Sequence, residues 1–105
     1  MQFRSNNCIA IHVTDLEKAE RFYGSIMGFR LLNKTASQLE YDTGHFLLYI
    51  NKDEANQLPI PSFSTGNCAE AKTLLRANGC EILVDRGNSI YFKDPFGMVY
   101  DVIQE

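Results

Sequence analysis

The stretch CIAIHVTDL, residues 8–16, decides how the whole chain is read. Ile9, Ile11 and Val13 alternate with Cys8, Ala10 and His12, the two-residue period of a strand with one packed face. Thr14 then stands three residues before Glu17, the spacing of a capping box, so a helix is predicted to open there. Leu16, Ala19, Phe22, Tyr23 and Ile26 recur at helical spacing and predict its buried stripe. Gly28 is the expected left-handed residue that closes it. Strands are predicted at 29–33, 38–41 and 45–50, the last two joined by the turn residues Asp42, Thr43 and Gly44.

Beyond this first unit the pattern is written again. NKDEANQLPIP, residues 51–61, is polar and proline-punctuated and reads mostly as a connector. Ile60 to Ser64 is a strand candidate, and Asn67 caps a helix with Glu70 three residues later. Ala71, Leu74 and Leu75 form its stripe, Gly79 closes it, and strands follow at 81–84, 89–93 and 99–103, with DPFG before the last. The closing glycines Gly28 and Gly79 lie 51 positions apart, and the turn glycines Gly44 and Gly97 lie 53 apart. A βαβββ unit is therefore duplicated, with module one at about 6–50, a connector at about 51–59 and module two at about 60–105. The expected fold is α+β: tandem βαβββ modules forming a curled mixed sheet around a cavity, one helix per module on the outside.

Composition narrows the function. The 105 residues make one domain with a modest core, and their net charge is −3. The ten basic residues are scattered singly, which argues against a general nucleic-acid binder, since phosphate affinity rests on clustered Lys and Arg. No apolar run approaches the roughly 20 residues of a membrane span. MQFRSNNC, at the N-terminus, lacks the apolar core of a signal peptide, so a cytoplasmic location is expected. Cys8, Cys68 and Cys80 are then free thiols, and the absence of CxxC and HxxxH spacing speaks against structural zinc.

HVTDLEKAERFYGSIMGF (12–29) and FKDPFGMVYDV (92–102), set in the two halves of the repeat, resemble the vicinal oxygen chelate superfamily. That superfamily includes glyoxalase I, extradiol dioxygenases, fosfomycin-resistance enzymes and bleomycin-resistance proteins. In metal-dependent members the resemblance implies four ligands, from the first and last strand of each half. Those positions fall on Cys8, Leu48 (aligned through Gly44 and Gly97), about Ile60, and Asp101. Leucine and isoleucine offer a divalent ion no donor, so no metal and no other cofactor is expected.

The remaining candidates are ligand contacts. Cys8 reads as a thiolate or as a small buried side chain. His12 shares its face; the resemblance implies a substrate contact near this point, and an imidazole titrating near neutrality can also act as acid or base. Asp101 sits among Val99, Val102 and Ile103, where an inward carboxylate is costly unless paired; it anchors a cationic or hydroxyl-bearing ligand, bridges to Arg86 or Lys93, or lies on the solvent side. Phe46, Leu48, Tyr91 and Lys93 are expected to line the cavity, with Ser62 and Ser64 adding hydroxyls. Phe22 and Tyr23 are expected in the core. The chain is thus expected to bind a small organic ligand as a homodimer, without metal. Its rivals are a glyoxalase-like lyase or isomerase, using a divalent metal through an atypical ligand set or acid–base chemistry at His12 and Asp101, and an interaction module whose cavity is vestigial.

Overall fold

A computed structural model describes residues 1–105. The backbone divides into two compact units, one of Asn7–Pro59 and one of Met1–Asn6 with Ile60–Glu105. The first contains most of β1 (Arg4–Val13), then α1 (Leu16–Ala19), β2 (Arg30–Lys34), β3 (Gln38–Asp42) and β4 (Leu47–Lys52). The second contains β5 (Gln57–Thr65, from Ile60 on), α2 (Cys68–Ala77), β6 (Glu81–Asp85), β7 (Ser89–Lys93) and β8 (Val99–Gln104). Each is a mixed βαβββ module: β1 runs parallel to β4 in the order β2-β3-β4-β1, and β5 runs parallel to β8 in the order β5-β8-β7-β6. Parallel pairing of the first and last strands requires a crossover, which the helix supplies.

The expected connector is shorter than its polar sequence suggested. β4 continues to Lys52, and β5 begins at Gln57. The link is tied at both ends: the Asp53 backbone N–H donates to Val13 O at 2.9 Å, and the Gln57 side-chain amide donates to Asp53 Oδ2 at 2.9 Å.

Helix α1 departs from expectation in two ways. Its cap is Asp15, not Thr14: Asp15 Oδ1 accepts the Lys18 N–H at 3.0 Å. After Ala19 the helix widens into a π-helix over Glu20–Ile26, sealed by the Met27 N–H to Phe22 O bond of 2.9 Å, an i→i+5 step. The wider turn shifts the phase of the residues that follow it, Ile26 among them. Ala19 stays buried and Leu16 and Tyr23 pack on the core, but Phe22 is 48% exposed and Ile26 75% exposed, so the expected burial of Phe22 and Ile26 is corrected. Gly24 lies where the widened helix meets the sheet; a Cβ there would stand 3.0 Å from the Tyr41 hydroxyl. α2 keeps the expected cap, with Asn67 Oδ1 accepting the Glu70 N–H at 3.0 Å, and the expected burial of Ala71 and packing of Leu75, but Leu74 is 42% exposed and is corrected from the stripe.

The register decides which side chains share a face. In the first unit Ile9 lies opposite Leu48 and Ile11 opposite Ile50, and Leu39 lies opposite Ile50 on the other side of β4. These residues, with Tyr41 and Ala19, form one core beneath α1. Full burial of Leu39, Tyr41 and Ile50 stabilises the unit by roughly 1.5–3 kcal/mol per side chain. In the second unit Ile90, Phe92 and Val102 form the matching core with Cys68 of α2, and Phe63 and Tyr100 pack against it.

Candidate functional site

In each unit the candidate site is the sheet face that points away from the helix. On the second unit that face carries Ser62 opposite Asp101, and Tyr91 opposite Asp101 on the other flank of β8. Asn6 Nδ2 donates to Ser62 Oγ at 2.8 Å, and Ser62 Oγ donates to Asp101 Oδ2 at 3.0 Å. Burial pushes the Asp101 carboxyl above its ordinary range, while the Ser62 hydrogen bond and the nearby Arg86 charge oppose that rise. The Arg86 guanidinium lies over the Tyr91 ring, 4.9 Å from its centroid. Ser64 Oγ, one alternation from Ser62, is buried without a hydrogen-bond partner. Asn6, Ser62, Asp101, Tyr91 and Arg86 thus gather around one desolvated carboxyl group, a composition suited to anchoring a polar group of a ligand.

Lys93 is on the same face but at the end of β7, where it is exposed and pairs with Glu81 at 3.8 Å.

The matching face of the first unit carries Cys8 opposite Leu47 and Ala10 opposite Tyr49, with Glu40 opposite Tyr49 on β3. Burial, a hydrogen bond to the Glu40 carboxylate, and the charges of Glu40 and Cys8 push the Tyr49 hydroxyl up to about 12. Farther along, His12 Nδ1 lies 3.1 Å from Asp53 Oδ2, with the imidazole 13% exposed. A carboxylate on one ring nitrogen fixes the orientation of the ring. Gln38 Nε2 donates to Asn51 Oδ1 at 2.8 Å beside it.

Two expected pocket residues lie on the wrong side of the sheet. Leu48 is buried among Ile9, Ile11 and Ala19 beneath α1, and Phe46 packs against the same cluster. The cause is a turn of unequal length. Four residues, Thr43–Phe46, link β3 to β4, whereas five, Asp94–Met98, link β7 to β8. Aligning Gly44 with Gly97 therefore slips the register by one residue, and one residue turns every side chain to the opposite face. The true counterpart of Asp101 is Tyr49, since each lies opposite the equivalent residue of the parallel strand, Ala10 and Ser62.

The four positions implied for a metal are then Cys8, Tyr49, Ile60 and Asp101. Ile60 has no donor atom, the Tyr49 hydroxyl resists ionisation, and the Asp101 carboxyl is engaged by Ser62. No three His, Cys, Asp or Glu side chains gather into a metal-holding group. The residues present do not fit a divalent ion of the usual kind.

Sequence reasoning missed Asn6, Tyr49, Glu40 and Asp53. Asp53 lay inside the presumed connector, and Asn6 lies ahead of the predicted start of the first strand. Tyr49 and Glu40 were readable from strand parity once the register was right.

The sequence profile described as Glyoxalase/Bleomycin resistance protein/Dioxygenase superfamily matches residues 6–102. The chain belongs to that superfamily. No curated protein matches it. Among solved structures it resembles an extradiol ring-cleaving dioxygenase from B. fuscum, with TM-score 0.77 and 19% identity over 99% of this chain and 33% of that one. Homoprotocatechuate 2,3-dioxygenase from Arthrobacter globiformis gives TM-score 0.75 and 19% identity over 99% of this chain and 37% of the other. A hypothetical protein from Bacillus halodurans C-125 gives TM-score 0.72 and 13% identity, covering 100% of this chain and 96% of its own. The chain thus spans only about a third of the dioxygenases' length, and at these identities the likeness is one of fold. No helix is long and apolar enough to cross a membrane.

Proposed function

We propose that the protein binds a small organic molecule, without a metal or other cofactor, through the strand faces that point away from its helices. The observation that carries this reading is the hydrogen-bonded chain from Asn6 through Ser62 to the desolvated Asp101. A carboxyl group kept at this site attracts an amine or a hydroxyl, and Tyr91 beside it offers a flat apolar surface. Cys8 and His12 are the proposed contacts on the first unit, and Ser62, Tyr91, Lys93 and Asp101 on the second. We place the protein in the cytoplasm as a homodimer, with neither nucleic acid nor membrane as partner. A thermal-shift screen of amines, aromatic drugs and thiol conjugates tests the reading. A stabilising amine or hydroxyl compound whose effect is lost in Asp101→Asn, with the fold retained, is the expected result. Stabilisation by Ni²⁺, Zn²⁺ or Mn²⁺, with near-unit occupancy by elemental analysis, sinks it.

A second reading rests on the His12–Asp53 pair: an imidazole oriented by a carboxylate is a ready acid or base. Under it the protein is a lyase or isomerase of glyoxalase type. Turnover that falls in both His12→Ala and Asp53→Asn distinguishes it from simple binding.

A further inference from the structure

The second unit has a cavity on the opposite side of its sheet from Asp101. It has a volume of about 440 Å³ and lies between the strands, the C-terminal end of α2 and the segment Phe3–Ser5. Three rings line it: Phe63 and Tyr100 stand 5.4 Å apart between centroids, and Phe92 and Tyr100 stand 5.7 Å apart, all tilted. Leu75 of α2 and the Cys80 thiol complete an almost wholly apolar wall. That volume and lining suit a small planar molecule, since pockets for organic ligands are commonly about 300–1,000 Å³ and apolar with few polar anchors.

Two charged residues reach the cavity, and they differ in availability. Asp94 is consumed by its own turn: its Oδ1 accepts the Phe96 N–H at 2.8 Å and the Met98 N–H at 2.9 Å. Arg4 is exposed and takes part in none of the ion pairs of the structure. Arg4 is therefore the one cation lining the cavity, and no ion pair holds it. A guanidinium is the side chain best matched to a planar carboxylate, which it grips with two parallel hydrogen bonds.

We propose that this cavity binds a small aromatic carboxylate, its ring among Phe63, Phe92 and Tyr100 and its carboxylate on Arg4. The site is separate from the face that carries Asp101, so it stands or falls independently of the binding function proposed above. It also has the reverse charge preference: an anion here, a cation or hydroxyl there.

Cys80 supplies a reporter within the cavity wall. Burial and the Asp94 charge raise its thiol, so labelling is followed at mildly alkaline pH with N-ethylmaleimide, and modified peptides are resolved by mass. The probes are 2-naphthoate and its uncharged counterpart 2-naphthalenemethanol. The expected result is that 2-naphthoate slows labelling of Cys80 and leaves Cys8 unaffected, and that the alcohol needs a roughly tenfold higher concentration for the same protection. Arg4→Glu, a change at an exposed position, should remove the advantage of the anion, protection being read against the variant's own labelling rate without probe. Absence of Cys80 protection overturns the site. Equal protection by both probes, or an unaltered preference in Arg4→Glu, overturns the assignment of the anion to Arg4.

Discussion

The two modules are copies of one plan, and their differences show where a repeat can change without losing its fold. Asp15 and Asn67, the two helix caps, are 52 positions apart, as are the buried Ala19 and Ala71 and the half-buried Tyr23 and Leu75. By the end of the helices the offset is 51, at Gly28 and Gly79: the first helix holds one extra residue, and its π-helical turn is where that residue is absorbed. The offset stays at 51 for Leu39 and Ile90, each opposite a buried residue of the last strand, then returns to 52 at Ile50 and Val102 because the second module has the longer turn. Each insertion falls where a helix or a turn takes it up, and the strand faces keep their parity.

On the helix-free faces the plan is kept and the chemistry is exchanged. Glu40 lies opposite Tyr49 in the first module, and Tyr91 lies opposite Asp101 in the second. Each module pairs a tyrosine with an acid across the same two strands, with the positions reversed. What distinguishes them is the parallel strand. Ala10 offers Tyr49 nothing, whereas Ser62 gives Asp101 a hydroxyl backed by Asn6. Under the proposed binding function, the second module is therefore the better anchor.

The largest expected effect tests the corrected register. Leu48→Ala should destabilise the protein by about 2–5 kcal/mol in chemical denaturation, as for any well-packed core leucine. Tyr49→Phe, one residue on, should cost far less, since it removes a single hydroxyl. The reverse order would restore Leu48 to the ligand face.

Next come the caps. Asn67→Ala should cost about 0.5–2 kcal/mol, because the Glu70 N–H loses its acceptor at the start of a regular ten-residue helix. Asp15→Ala should cost a similar amount; no loss there would mean that the π-helical module is held by the sheet alone.

Asp101→Asn should act in the opposite direction and raise stability at neutral pH. Burial lifts the folded-state carboxyl above its ordinary value of 3.8, so the folded protein favours the protonated form. Its contribution is fully present below that value and is lost as pH rises through the folded-state titration. An amide, always neutral, avoids the loss and still accepts from Ser62. The gain in Tm should therefore be visible at pH 7 and vanish below pH 3.8. A variant less stable than wild type at pH 7 would mean that the hydrogen bonds to the ionised form outweigh its desolvation.

How much of this was legible in the sequence follows from the same physics. Parity within a strand was readable: Cys8, Ala10 and His12 do share one face, and so do Ser62, Tyr91, Lys93 and Asp101. Register between modules was not, because the glycines used to align them sit at unequal places in their turns, and a single residue reversed the fate of Phe46 and Leu48. The partners of the polar residues were also hidden. Asn6 reaches Ser62 across 56 positions and Asp53 reaches His12 from a polar link, contacts that no local periodicity encodes.

The smallest effect comes from the pair Phe22 and Leu74, 52 positions apart and equivalent by the caps. Both look like core residues by helical spacing, yet they are 48% and 42% exposed. Each is followed by the residue that does pack on the core, Tyr23 or Leu75. Phe22→Ala and Leu74→Ala should therefore change stability by only about 0.5 kcal/mol or less, the range of surface substitutions. Phe22 also meets Tyr23 edge to face at 5.0 Å between centroids, a contact that Leu74 cannot make. Phe22→Ala should accordingly be the costlier of the two, by a margin of a few tenths of a kcal/mol. A loss of 2 kcal/mol or more at either position would mean that its side chain is packed in the core rather than half-exposed.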